Sequence, residues 1–184
     1  MGVRSMADDK EMSMADRRAV LIPGRGYDTR YPLFLYLGEA LRRVGFGLHG
    51  ISWEVPEDFD IDTIGRWVCD QVSPTLNERT DLLVGKSLGT LAAPLAAVRG
   101  LPAVWLTPSL HRGDVVDALR RATAPFILVG GTADSSWDGG IARRLTPHVL
   151  EIPGADHALM VPGPLARSAE ALGQVCTVVE DFVR

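Results

Sequence analysis

Only two cysteines, Cys69 and Cys176, occur in the 184 residues. Two thiols so far apart match no metal-ligand spacing and make no disulfide framework, so both are expected to be reduced core residues of a cytoplasmic protein. No apolar stretch approaches the ~20 residues that span a bilayer. Basic runs are also missing: 19 Lys and Arg are interspersed with 23 Asp and Glu, for a net charge of −4. That pattern excludes a positive face for nucleic acid or an anionic membrane surface. No internal repeat or low-complexity segment is present. The first 18 residues, MGVRSMADDKEMSMADRR, have charge but no apolar core. They are expected to be a flexible tail rather than a signal peptide. No metal and no cofactor is expected.

What is present is ordinary for a soluble globular chain: 46% hydrophobic and 23% charged residues, with a length sufficient for one domain, here residues 19–184. From residue 19 the pattern turns regular. AVLIPG (19–24) is an apolar run stopped by Pro and Gly, and YPLFLYLGEALRRVG (31–45) has apolar residues at helical spacing. FGLHGISW (46–53), DLLVG (81–85), PAVWLTP (102–108), PFILVGG (125–131) and HVLEIPG (148–154) repeat the first type. Helical segments over 60–78, 88–100, 113–123, 136–145 and 164–184 alternate with them, and Pro74 is expected to kink or break the first of these. Strands that read as nearly unbroken apolar runs, alternating with helices, predict a mostly parallel sheet of about six strands covered on both faces. In such a sheet, chemistry gathers at the carboxyl ends of the strands.

The stretch LLVGKSLGT (82–90) lies at one such end and fits two motifs. As the tail of a phosphate-binding loop, G-x-x-x-x-G-K-[ST], it would need a glycine at position 80, which is Thr80. The four residues between are Asp81 to Val84, the strand itself, leaving no loop to surround a phosphate. As G-x-S-x-G it is complete. Ser87 stands between strand and helix, with Gly85 and Gly89 small enough for the two to approach closely. Alone, such a motif competes with a chance helix start, because serine is a common N-cap.

Two later strand ends add to it. GGTADSSWD offers Asp134 and IPGADHALM offers His157. Forty-seven residues separate Ser87 from Asp134, and 23 separate Asp134 from His157. One strand–helix unit here is about 23 residues long, so these intervals are two units and one, and all three residues fall on the same edge of the sheet. A serine hydroxyl is a poor nucleophile until a base takes its proton. Imidazole can take it, with a buried carboxylate holding the ring in the right tautomer. Asp138 is the nearest competing acid, and Asp134 could also be a turn residue. The other histidines are His49, His111 and His148. His49 and His148 sit within or at the start of strands, and His111 lacks the matching motif.

On GKSLG, LVGGTAD and IPGADHALM, the chain resembles the α/β-hydrolase family over roughly residues 19–184. It is similar to its short dienelactone hydrolase-like members. The resemblance implies a minimal α/β-hydrolase fold, with Ser87 as nucleophile, Asp134 as acid and His157 as general base. The family's usual first two strands are missing, leaving six. Lys86 precedes the nucleophile where His or Tyr is frequent. Of the oxyanion-hole donors, one is then the amide of Leu88. The second falls in IPGRGYDTRY, at the amide of Arg25 or, less favoured, Gly26, with Gly24 keeping the turn. Trp53, Leu110, His111, Trp137 and Met160 lie near strand ends and are candidates for the pocket wall, and packing explains each of them as well. Arg25 and Arg30 are candidates to attract an anionic substrate. The interval SLHRGDVVDALRRAT holds one short connection and one helix, so no substantial lid is expected and short acyl chains should fit best. The expected function is a serine hydrolase of small carboxylic esters or thioesters. The alternative is a catalytically silent hydrolase fold acting as a binding or scaffold protein, against which the intact Ser, Asp and His argue.

Overall fold

The computed structural model describes residues 17–58 and 60–184. The expected tail lies outside the described residues except for Arg17 and Arg18, which already belong to a strand. Strand β1 runs Arg17–Ile22 and so takes in two residues before the apolar run that opens at 19. The apolar run marks the buried half of the strand, but backbone pairing does not need apolar side chains. Arg18 donates its amide to Asp81 at 2.7 Å, and the Arg17 guanidinium lies 4.0 Å from the centre of the Phe46 ring. These contacts extend the strand toward its start. Pro23 and Gly24, expected as its exit turn, lie in the loop beyond.

Five more strands follow: β2 Phe46–Gly50, β3 Thr80–Lys86, β4 Ala103–Leu106, β5 Phe126–Gly131 and β6 Val149–Ile152. They form one sheet in the order β2-β1-β3-β4-β5-β6, with every neighbouring pair parallel. The single reversal of direction in strand order, from β2 back past β1 to β3, makes the β1 and β3 ends a topological switch point.

Side chains alternate across the sheet. Leu82, Val84, Val104, Leu106, Ile127 and Val129 face one side, and Leu83, Trp105 and Leu128 face the other. Helix α1 (Pro32–Arg43) covers the first face with Leu33, Phe34, Leu37 and Leu41. Helix α6 (Leu165–Val183) lies beside it, and its buried residues Ser168, Ala171, Val175, Val179 and Val183 recur every three or four positions, a single helical stripe. The second face is covered by α2 (Ile64–Val72), α3 (Ala93–Arg99), α4 (Gly113–Arg120) and α5 (Gly139–Leu145). Pro74 does not sit in an α-helix. Helix α2 ends at Val72 and continues as a 3-10 turn, Ser73–Thr75, because Pro74 cannot donate the next helical bond. Residues 88–92, expected to be helical, are part of a 3-10 segment, Ser87–Ala92, before α3 begins. Between β4 and β5 lies only α4.

Both cysteines are free and half-buried, and burial raises each thiol pKa, with Asp70 adding to the effect at Cys69 and Glu180 at Cys176. Such thiols are poor nucleophiles. Among the described residues, no helix is long and apolar enough to cross a membrane.

Candidate active site

Ser87 is the first residue after β3 and has a φ of 50°, in the left-handed region. This conformation is costly for a residue with a Cβ and persists only where the surroundings enforce it. The enforcement comes from close packing. A Cβ at Gly85 would lie 2.7 Å from the Gly89 carbonyl oxygen and 2.7 Å from the Trp105 ring. One at Gly89 would overlap the carbonyl oxygens of Ile22 and Pro23. The two glycines therefore let the turn fold back against β4 and the end of β1. Thr90 donates its hydroxyl to the Ser87 carbonyl at 2.6 Å and closes the first turn.

The end of β5 carries Asp134 in a tight turn, in which its amide donates to the Gly131 carbonyl and its carbonyl accepts from Trp137. Its carboxylate is almost wholly enclosed, and Oδ1 accepts from the Ser136 amide at 2.8 Å. The loop after β6 is laced to this turn. Ala133 donates to the Ala155 carbonyl at 3.0 Å, and Gly154 donates to Thr132 Oγ1 at 2.7 Å. Gly131 permits that approach, since a Cβ there would overlap the Ala155 backbone.

Those connections bring three side chains into a line. His157 Nε2 is 2.7 Å from Ser87 Oγ, and His157 Nδ1 is 2.7 Å from Asp134 Oδ2. With Nδ1–H donating to the carboxylate, Nε2 is left as acceptor for the serine hydroxyl. The histidine is partly open to solvent while the carboxylate is not, the side chains being 43% and 1% exposed. The ring is therefore open at the surface while its carboxylate partner is kept from water. Asp138 is elsewhere engaged, capping α5 through a 2.7 Å bond from the Ile141 amide.

The loop after β1 passes directly beside the serine. A Cβ on Gly24 would come within 3.5 Å of Ser87 Cβ, and the Gly24 amide donates to the Tyr27 carbonyl at 3.0 Å. Gly26, with φ 65°, completes this turn. Gly24, Arg25, Gly26, Tyr27, Tyr31 and Trp53 line an open cleft of about 680 Å³ that starts at this point. Of the residues expected in a pocket wall, Trp53 lies here, its ring centre 5.3 Å from that of Trp67 with the planes tilted by 53°. The other four do not line this cleft. Leu110 is 1% exposed and belongs to the core under β4, its amide N–H donating to the carbonyls of Pro108 and Ser136. Trp137 packs on Gly130 and donates Nε1 to Glu151 at 2.7 Å. His111 is exposed before α4, and Met160 is exposed in the loop after β6. Strand-end position alone did not show which way each side chain turns. Arg30 is paired with Asp28 at 3.0 Å, which offsets the charge it would offer an anionic ligand.

Two residues here had no assigned place in the sequence reading. Asp156 accepts from the amides of Ala158 and Met160 at 2.8 and 2.9 Å and shapes the turn that carries His157. An aspartate two residues before a turn amide is a recognisable Asx signal. Lys86 is the other. It is 2% exposed, and its Nζ donates to Thr107 Oγ1 at 3.2 Å and to the His157 carbonyl at 3.0 Å. Burial pulls its pKa down to about 8, against the opposing charges of Asp134 and Asp156.

Solved structures resemble this fold over nearly the whole chain. Est1E from Butyrivibrio proteoclasticus matches with a TM-score of 0.69 at 15% identity, covering 92% of this chain and 88% of that one. This chain has the α/β-hydrolase fold. A lidless α/β serine hydrolase from Xanthomonas campestris aligns at 16% identity and TM-score 0.61, over 92% and 84% of the two chains. Dienelactone hydrolase from Anabaena variabilis aligns at 22% identity and TM-score 0.63, over 92% and 86%. No family model matches the sequence, and no curated protein matches it. At these identities the α/β-hydrolase likeness is one of fold.

Proposed function

We propose that the chain is a serine hydrolase that cleaves small carboxylic esters or thioesters through an acyl-enzyme. The observation that carries this reading is the unbroken chain Ser87 Oγ, His157 Nε2, His157 Nδ1 and Asp134 Oδ2, with both links at 2.7 Å. In the first step Ser87 Oγ bonds to the substrate carbonyl carbon while His157 Nε2 takes the hydroxyl proton. The buried Asp134 carboxylate stabilises the imidazolium that results. The carbonyl oxygen then carries negative charge, received by the amides of Leu88 and Arg25. Collapse breaks the bond to the leaving alkoxide or thiolate, which takes the proton from His157. A water molecule attacks the acyl-enzyme by the same route and releases the acid and free Ser87.

The cleft beside Gly24 would receive the substrate. Its tyrosines and Trp53 suit a small acyl or aryl group, and the short β4–β5 connection gives no cover for a long chain. Each methylene without a pocket forgoes ~0.8 kcal/mol of burial, so acetate or butyrate esters should be preferred. The fold supports hydrolase chemistry by analogy only. A fluorophosphonate probe followed by peptide mapping tests the reading. Modification of Ser87, lost in Ser87→Ala together with esterase activity, is the expected result. An adduct on another serine, or none, refutes it.

A further inference from the structure

Lys86 follows Leu82 and Val84 on the face of β3 that packs under α1 and α6. A lysine at that place is costly, because an ammonium loses its hydration there. What surrounds it are three loops of the site. From the β4 end, Thr107 Oγ1 accepts a hydrogen bond from its ammonium at 3.2 Å. From the β6 end, the carbonyl of His157 accepts at 3.0 Å. From the β1 end, the Tyr27 ring lies 4.7 Å from Nζ, within cation–π range. Tyr27 in turn accepts the Gly24 amide on its carbonyl, in the loop that passes Ser87. Thr107 has a φ of 46°, an unfavourable backbone for a β-branched residue, and this conformation occurs at the residue that meets the ammonium.

We propose that Lys86 is a positioning residue: its buried ammonium ties the backbone of His157 to Thr107 and Tyr27, and so holds both the imidazole and the loop after β1 in register with Ser87. The proposal rests on the serine hydrolase reading and adds to it a residue that touches neither substrate nor the reacting atoms. The titratable groups around Lys86 are Tyr27 from the β1 loop, Asp134 from the β5 loop, and Asp156 and His157 from the β6 loop. The two carboxylates favour the ammonium, and burial opposes it more strongly. A charged donor makes hydrogen bonds roughly twice as strong as a neutral one, and the cation–π contact exists only with the charge. Loss of the Lys86 proton should therefore loosen the site on the alkaline side of neutrality.

The test is the rate at which a fluorophosphonate labels Ser87 from pH 6 to 10, with melting curves recorded in parallel, in wild type, Lys86→Met and Thr107→Val. Wild type should lose reactivity with an inflection near pH 8. Lys86→Met should label roughly tenfold or more slowly at neutral pH, as expected when a reacting group drifts by a fraction of an ångström, and should lack that inflection. Thr107→Val keeps the fold's shape and removes one acceptor of the ammonium, so its inflection should move to lower pH; it reads the same link if Lys86→Met fails to fold. Wild-type labelling rate in folded Lys86→Met, retention of its alkaline inflection, or an unmoved inflection in Thr107→Val would overturn the proposal while leaving the hydrolase reading intact. Wild type that does not label at Ser87 at any pH would defeat the hydrolase reading, and this one with it.

Discussion

Replacing Gly89 by alanine should damage the site more than the fold. The added Cβ would lie 2.8 Å from the Pro23 carbonyl oxygen and closer still to that of Ile22. Both are backbone atoms, so no rotamer change relieves the overlap. Ordinary carbon contacts begin near ~3.5 Å, so something must move by roughly 0.5–1 Å. Strand β1 cannot retreat, because it is paired on both edges and Ile22 is fully buried. The strain should cost about 1–3 kcal/mol, partly offset by the ~0.4–1 kcal/mol that alanine removes from the freedom of the unfolded chain. At ~2–4 °C per kcal/mol for a chain of this size, Tm should fall by a few degrees. The movement therefore falls on the turn Ser87–Ala92, which shifts Ser87 against the loop at Gly24. A misplacement of ~1 Å can cost about 100-fold in rate, so kcat/KM on a short-chain ester should drop roughly 10- to 100-fold. Thermal melting and ester turnover on one preparation decide it. A Gly89→Ala protein that matches wild type in both would show that the G-x-S-x-G glycines are not required by packing.

Gly173 offers the opposite case, since it sits exposed within α6 with nothing near an added Cβ. Gly173→Ala should raise stability by about 0.5–1 kcal/mol, measured by denaturant midpoint, with turnover unchanged. Asp134→Asn keeps the shape of the buried side chain but favours the wrong imidazole tautomer, and should lower kcat by about 10⁴ in a folded protein, as read by turnover alongside circular dichroism. Lys86 predicts a stability trend with pH. Its folded pKa of about 8 lies below the ordinary lysine value of 10.5, so between those pH values the unfolded chain holds the extra proton. Wild-type stability should therefore rise relative to Lys86→Met across that window, by on the order of 3 kcal/mol if the shift is fully realised, while the difference between the two proteins stays constant with pH below 8 and again, at its higher value, above 10.5. Denaturant titrations of both proteins at pH 7, 9 and 11 would show a flat difference if the lysine were not desolvated.

Much of this arrangement was legible in the order of residue types. Buried strands announce themselves as unbroken apolar runs, and a parallel sheet must return each strand through a crossover helix, so residues at successive strand ends share one edge. Ser87, Asp134 and His157 could be placed together on that edge by counting. GKSLG told strand from turn because only glycine fits where Gly85 and Gly89 meet backbone. Other features depended on contacts between distant segments. That β1 takes in Arg17 and Arg18 depends on pairing with β2 and β3, to which side-chain polarity is indifferent. Leu110 and Trp137 sit at strand ends like Trp53, yet their side chains turn into the core or toward Glu151, a choice made by neighbours far along the chain. Lys86 is the sharpest case. By composition it is a surface residue, and in the sequence it stood out only for what it replaced. Its position is fixed by the alternation of β3, which turns residues 82, 84 and 86 to one face, and by Thr107, Tyr27 and His157, which arrive there from three other strands. A lone residue type could not reveal that burial, because the acceptors that make a buried ammonium tolerable exist only once the sheet has formed.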